Sequence, residues 1–205
     1  MLKYLARIPA WVPLALIVAV TVAAAGTSLG NGFAYDDVHV LLRDDRIRDL
    51  GGILSRFGET YYPAVALGGG GRLYRPLTMA AFTLEWAAGQ GHPLAFHLAN
   101  LALYLLASLL VFALARRFLS PLAATLAAVL FAVDPVHVEA VANVVGQAEL
   151  LVAVPLILAA ILYVDGRRVG FGAGRTVAIA ALYLAGCLAK ENAALLPLLL
   201  LALEP

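Results

Sequence analysis

The chain has 205 residues, of which 63% are hydrophobic and 13% are charged, and its formal net charge is +1. Soluble domains carry about 25% charged residues, so this composition excludes a single soluble core, and its high hydrophobicity excludes a disordered chain. The sequence lacks the cationic stripe of a nucleic-acid-binding protein, so we expect no nucleic-acid partner. We predict an all-α, multi-pass integral membrane protein with about six spans or part-spans.

The first apolar stretch occupies residues 11–29 and follows Lys3 and Arg7. It is long enough to cross a hydrocarbon core of about 30 Å at a rise of about 1.5 Å per residue. A signal peptide is the alternative, because the alanines at 23–25 resemble a cleavage region. We favour an uncleaved first span within residues 1–30, since the stretch is long for a signal core and further apolar segments follow it.

The composition then changes at residues 31–92, which are charged, aromatic and glycine-rich. This is typical of an aqueous loop, and we expect one or two short interfacial helices within it. Residues 93–205 predict further spans or part-spans at 94–115, 118–133, 150–164, 176–189 and 193–203. Because the sequence stops beside the last apolar run, we expect it to be the N-terminal piece of a longer protein, or one part of a split protein.

The basic residues predict the orientation of the chain. If the spans alternate, the cations on the side of the N-terminus lie in short segments, whereas most of those on the other side lie in the long loop, where the positive-inside rule has less weight. We therefore predict a cytoplasmic N-terminus and an extracytoplasmic loop. Arginine outnumbers lysine twelve to two, as in GC-rich coding, so we expect a bacterial inner membrane, with the endoplasmic reticulum membrane as the alternative.

Two adjacent carboxylates, Asp36 and Asp37, directly follow the first span. Like charges this close repel one another, which favours retention of a proton by one of them and makes a general base one role for the pair. The alternative is that one of the two caps the short helix that follows, whose N-terminal dipole attracts anions. On the residues alone, the capping interpretation is favoured.

Tyr74 and Arg75 close the loop, directly before Pro76. Arginine presents a planar fork that suits phosphate oxygens, and the proline restricts the backbone before it. This pattern is typical of a site for a lipid phosphate. The alternative is an arginine that only anchors the chain at the headgroups.

Residues 134–149 are mixed polar and apolar. If they form one helix, Glu139, Asn143 and Gln147 recur at i, i+4 and i+8 on one face, and this polar stripe either lines a pocket or faces water. His137 precedes Glu139 by two residues, but two ligands are too few for a zinc site, so we predict no metal residues and regard a divalent metal as not indicated.

Lys190 and Glu191 stand between two apolar runs. Ionisable residues at the edge of a span are costly and usually face partners or a water-filled cavity, so this position favours a functional site. The alternative is a neighbouring ion pair in a short exposed turn.

Taken together, these clusters resemble the N-terminal transmembrane part of the transmembrane and tetratricopeptide-repeat O-mannosyltransferase family, within the GT-C glycosyltransferases. The resemblance lies both in the residues of each cluster and in the order of the clusters along the chain. The matching residues are 33–37, 41–50, 74–78, 89–100, 116–117, 130–151 and 188–197. They cover most of the chain from residue 30 onward.

The resemblance implies inverting transfer of a sugar, mannose in this family, from a polyprenyl-phosphate donor to a protein Ser or Thr hydroxyl on the extracytoplasmic side. It implies that Asp36 or Asp37 is the general base and that Arg75 and Lys190 stabilise the leaving phosphate. Further residues would line the same vestibule or bind the donor, namely Tyr74, His137, Glu139, Asn143, Gln147, Glu149 and Glu191. The implied partners are the bilayer, the lipid-linked sugar, a protein acceptor and a C-terminal remainder with further spans and tetratricopeptide repeats.

Two other interpretations compete with the enzyme. A non-catalytic scaffold or accessory subunit would keep the fold and bind polyprenyl phosphate or a partner protein. A secondary transporter would require broken spans in two matching halves with polar residues near the middle of the membrane. The polar residues of this chain cluster at the predicted outer face, which disfavours transport.

Overall fold

A computed structural model of the chain describes residues 9, 11–62 and 73–204. Lys3 and Arg7, which flank the predicted first span, lie outside the described residues. Within these ranges eight α-helices follow one another: α1 Trp11–Ala25, α2 Pro76–Gly89, α3 Pro93–Ala115, α4 Pro121–Val133, α5 Val138–Ala142, α6 Gln147–Val169, α7 Ala173–Ala189 and α8 Leu196–Ala202. Between them lie the 3-10 helices Gly26–Gly30, Asp45–Arg48, Ile53–Gly58, Pro135–His137 and Glu191–Leu195, and one π-helical turn, Val38–Leu42.

Several helix starts are encoded locally. Pro76, Pro93 and Pro121 each occupy the first turn, where the missing N–H costs nothing and the fixed φ suits the helix. The Ser120 hydroxyl accepts a hydrogen bond from the Ala123 N–H. This cap satisfies an amide that the helix itself leaves free. These prolines and the serine cap therefore set where the three helices begin.

Three helices are long and apolar enough to cross a membrane, namely Trp11–Gly30, Pro93–Ala115 and Gln147–Val169. A fourth span results if Pro121–Val133 and Pro135–Ala142, which are bent by 47° at Asp134, are taken together. Two further apolar helices, Ala173–Ala189 and Glu191–Ala202, are shorter than these. The prediction of an all-α, multi-pass membrane protein is confirmed.

The first part of the loop is packed against the helices. Its apolar side chains, including Leu41, Ile47 and Tyr61, are buried against Phe82 of α2 and Phe96 of α3. Burying such side chains contributes about 1.5–3 kcal/mol each. The segment that carries the two aspartates is therefore held in a fixed place relative to α2 and α3.

Candidate functional site

A polar cavity of about 290 Å³ lies where the loop, α5, the start of α6 and the end of α7 meet. Six of the residues singled out in the sequence line it: Asp36, Arg75, Glu139, Asn143, Glu149 and Lys190. They come from segments more than 150 residues apart in the chain, from position 36 to position 190. The fold thus brings acidic groups and two cations to one site.

Asp36 presents its side chain at the surface of this cavity. The residue before it, Tyr35, has a φ of +50°, which lies in the left-handed region and is uncommon for a residue other than glycine. The turn leaves Asp36 exposed, with its Oδ2 3.4 Å from the Tyr62 hydroxyl, which donates to it. Asp36 is therefore accessible to a ligand.

Asp37 is fully buried. Its carboxylate accepts hydrogen bonds from three backbone amides, those of Ala34 at 3.0 Å, Val144 at 3.3 Å and Val145 at 2.8 Å. It makes no side-chain bond to the turn that follows it, so the capping interpretation is wrong for Asp37. The two neighbouring aspartates differ: one faces the cavity, and the other joins the loop to the segment before α6.

Arg75 lies at the edge of α2, and its side chain is 11% exposed. Its Nε and one terminal nitrogen donate to the two carboxylate oxygens of Glu191 at 3.0 and 2.5 Å. The guanidinium carbon lies 5.0 Å from the centre of the Tyr61 ring, a cation–π arrangement. Two of its five N–H groups serve Glu191, so further donors remain for a ligand.

Lys190 ends α7 in an extended conformation, and its ammonium forms an ion pair with Glu149 of α6. The Asn192 side-chain amide donates to the other oxygen of Glu149 at 3.2 Å. The interpretation of Lys190 and Glu191 as a pair with each other is wrong, because each meets a partner from a different helix. A break in the helix turns consecutive side chains in different directions.

The expected single helix over residues 134–149 is interrupted. Helix α5 ends at Ala142, and Asn143 is extended, with its side-chain oxygen accepting from the Gly146 N–H at 2.7 Å. A Cβ on Gly146 would lie 2.1 Å from the Glu139 carbonyl oxygen, so only glycine fits this turn. The prediction that three polar residues share one helix face is therefore wrong. Glu139 and Asn143 line the cavity, but Gln147 does not.

Gln147 is fully buried and donates from Nε2 to Glu85 Oε1 at 2.8 Å. Sequence reasoning missed Glu85, since a single acid in a mostly apolar segment carries no local signal. It also missed Tyr61 and Tyr62 as cavity residues, although adjacent tyrosines beside a candidate sugar site are a usable hint.

Two other expected residues lie elsewhere. His137 lines a separate cavity of about 380 Å³ beside α1 and α4, where its Nδ1 lies 2.9 Å from the Phe131 carbonyl oxygen and 3.0 Å from the Tyr104 hydroxyl. The expectation that it shares the vestibule of Glu139 is wrong, because the bend at Asp134 turns it away. The Tyr74 hydroxyl donates to the Phe57 carbonyl at 2.7 Å and does not line the polar cavity.

The cavity combines charges of both signs. Among its lining residues the cations Arg75 and Lys190 meet the carboxylates of Asp36, Glu139 and Glu149. Over residues 9, 11–62 and 73–204, His, Cys, Asp and Glu form no group of three or more that could hold a metal ion. The cavity therefore combines an accessible proton acceptor with two cationic side chains, as acid–base chemistry beside an anion requires.

No family model matches the chain, and no solved structure matches it at a significant level. Curated relatives do match. The chain is 36% identical over 171 residues to protein O-mannosyl-transferase Tmtc1 of Drosophila melanogaster, which covers 81% of this chain and 19% of the relative. It is 33% identical over 153 residues to protein O-mannosyl-transferase TMTC3 of Mus musculus, covering 74% of this chain and 17% of the relative.

A shorter match reaches higher identity. Protein O-mannosyl-transferase TMTC4 of Homo sapiens is 40% identical over 110 residues, covering 46% of this chain and 15% of the relative. The chain thus spans less than a fifth of the length of these relatives. With matches over about three quarters of its own length, the chain belongs to the TMTC family of protein O-mannosyl-transferases.

Proposed function

We propose that this chain is the N-terminal membrane part of a protein O-mannosyltransferase of the GT-C type that transfers mannose from a polyprenyl-phosphate donor to a Ser or Thr hydroxyl. The observation that carries the proposal is the single cavity lined by an exposed carboxylate, Asp36, and by the cations Arg75 and Lys190. The names of the relatives support mannose as the sugar and a protein as the acceptor.

In the proposed reaction Asp36 takes the proton from the acceptor hydroxyl. The oxygen attacks the anomeric carbon of mannose on the face opposite the phosphate, and the bond between that carbon and the phosphate oxygen breaks. The configuration is inverted, and polyprenyl phosphate leaves with the electron pair. Burial gives Asp37 a different task, since its oxygens already accept from Val144 and Val145 and hold the neighbouring Asp36 in place.

The two cations serve the leaving phosphate. Arg75 keeps N–H groups that Glu191 does not use, and Lys190 has three N–H groups of which Glu149 receives one. Preorganised donors aimed at developing charge are often the largest electrostatic contribution to catalysis. Glu191 and Glu149 hold these side chains in place.

The proposed site lies on the extracytoplasmic side of a membrane, with the N-terminus of the chain on the cytoplasmic side. The lipid tail of the donor then stays in the bilayer while its phosphate reaches the cavity. We further propose that later spans and tetratricopeptide repeats belong to the same protein and that the spans enclose the donor.

The test is mannose transfer by the full-length protein in lipid, from polyprenyl-phosphate mannose to a Ser/Thr peptide. Asp36→Asn keeps the size of the side chain and removes the base, so transfer is expected to fall by about 10²–10⁴-fold. Asp45→Asn is the matched control, since Asp45 is exposed in the same loop and pairs with the exposed Arg48. Transfer by Asp36→Asn at the rate of the control would refute the assignment of the base.

The same assay separates the enzyme from a scaffold. If the protein is a non-catalytic scaffold, both the unmodified protein and its variants should bind polyprenyl phosphate and transfer no sugar. Binding without any transfer by the unmodified protein, with every acceptor peptide tried, would therefore favour the scaffold.

A further inference from the structure

A half-buried acid and a fully buried amide meet next to the turn that lines the cavity. Gln147 of α6 has no exposed surface, and its Nε2 donates to Oε1 of Glu85 on α2 at 2.8 Å. The second oxygen of each group, Glu85 Oε2 and Gln147 Oε1, is buried and has no hydrogen-bond partner among the described residues. Both of these oxygens are acceptors when the carboxylate is ionised, so neither can satisfy the other.

One proton removes this conflict. A carboxylic acid can donate from one oxygen while it accepts at the other, and a primary amide does the same with its nitrogen and oxygen. A proton on Glu85 Oε2 could then be donated to Gln147 Oε1, which would close a ring of two hydrogen bonds. An unpaired charge at this depth costs far more than a neutral pair.

The surroundings of Glu85 also favour its protonated, neutral form. Burial raises the pKa of Glu85 to about 8, against the smaller opposing effect of the hydrogen bond from Gln147. Unfolded glutamate titrates near pH 4.3, so a proton is taken up on folding at neutral pH. The neutral form of the side chain is the one that predominates at pH 7.

We propose that Glu85 is a neutral positioning residue, whose carboxylic acid and the Gln147 amide form a cyclic hydrogen-bonded pair that fixes the turn of residues 143–146, which lines the cavity. The path from this pair to the site is short. Gln147 directly follows the turn, and the amides of Val144 and Val145 within the turn hold Asp37. Asp37 in turn adjoins Asp36. Glu85 acts through these groups and does not touch the proposed substrates.

The elements packed against α2 carry other charged and titratable groups, but most have partners of their own. Arg46 pairs with Asp44 and Glu59, Arg48 with Asp45, Arg56 with Glu59, and Glu149 with Lys190. Tyr183 and Cys187 lie on α7, and His97 is buried on α3. The Arg48 guanidinium lies 5.1 Å from the ring centre of Trp86, which is next to Glu85 in sequence. No partner other than Gln147 donates to the Glu85 carboxyl within the described residues.

The protonation state can be measured without any sugar transfer. Infrared spectra of the full-length protein in lipid should show a protonated carboxyl band at pH 7 that titrates with a midpoint of about 8 and is missing in Glu85→Gln. Glu59→Gln is the matched control, since Glu59 pairs with Arg46 and Arg56, and its spectrum should keep the band. Identical spectra for Glu85→Gln and the unmodified protein at pH 7 would overturn the proposal.

A second readout tests the positioning role, and it rests on the proposed function. Transfer by the unmodified protein should fall by about tenfold between pH 7 and pH 9, because one unit above the midpoint about a tenth of the acid remains. Glu85→Gln is permanently neutral and should keep transfer at pH 7 without this decline. The same decline in Glu85→Gln, or a flat profile in the unmodified protein, would refute the positioning role. Absence of transfer in every variant, with the infrared band present, would instead count against the proposed function.

Discussion

The most informative perturbation separates two neighbouring aspartates that the sequence presents as equals. Asp37→Ala removes the acceptor of three backbone amides, of Ala34, Val144 and Val145. Hydrogen bonds to a charged group contribute about 1.5–3 kcal/mol each, and burial prevents water from replacing all of them. Together the three bonds give an expected loss of up to about 4.5–9 kcal/mol in the stability of this region. Asp36→Ala removes one long contact at the surface and should change stability by less than about 0.5 kcal/mol.

Hydrogen exchange measures this difference at the residues concerned. In the full-length protein, the amides of Val144 and Val145 should exchange about 100-fold faster or more in Asp37→Ala, since about 1.4 kcal/mol corresponds to a factor of ten. In Asp37→Asn these amides should exchange at a rate between those of the unmodified protein and of Asp37→Ala, because one side-chain oxygen still accepts a hydrogen bond while the new NH₂ group faces donors. Asp36→Ala is the matched control. Equal exchange at these amides in Asp36→Ala and Asp37→Ala would refute the structural role of Asp37.

Three further predictions concern the turn, the cation and the loop. Gly146→Ala places a Cβ 2.1 Å from the Glu139 carbonyl oxygen and should cost about 1–3 kcal/mol, measured by denaturant unfolding; an unchanged midpoint would contradict the close approach. Glu191→Gln frees the Arg75 guanidinium and should strengthen binding of polyprenyl phosphate, whereas Arg75→Gln should weaken it, and equal affinities would speak against a phosphate site. Burial favours a higher pKa for Glu59, but hydrogen bonds from neighbouring side chains outweigh it and hold this pKa below its usual range. Ionised Glu59 therefore stabilises the folded loop above about pH 4.5, and this stabilisation is lost as the pH falls through the pKa of the folded state. Acid unfolding of the loop will show the loss, and the same acid midpoint in Glu59→Gln would argue against it.

The helices were predictable because their signals are local. Composition and apolar run length identify the spans, and prolines at 76, 93 and 121 mark where three helices begin. The break after Ala142 was not predicted, because an i, i+4, i+8 pattern looks the same whether or not a turn interrupts it. The Asn143 side chain that closes the turn on Gly146 is recognised only once the backbone is seen.

The sequence indicates the charged residues that line the cavity, but neither all of its other members nor the role of each one. Asp36, Arg75 and Lys190 are charged residues beside apolar runs, a pattern that favours a functional site, and these three line one cavity. The contrast between Asp36 and Asp37 depends on the amides of residues 144 and 145, more than a hundred positions along the chain. Glu85 was missed for the same reason, since only tertiary packing buries it against Gln147.

The central claim is that Asp36 serves as the base for sugar transfer in a cavity with Arg75 and Lys190, and chemical rescue tests it most directly. The full-length Asp36→Ala protein should transfer mannose only weakly, and added formate, a small carboxylate that fits the vacated space, should restore the rate in a concentration-dependent manner. Formate should not restore Arg75→Gln, which keeps its base. Transfer by Asp36→Ala at the full rate without formate, or a rate that formate leaves unchanged at every concentration, would contradict the account.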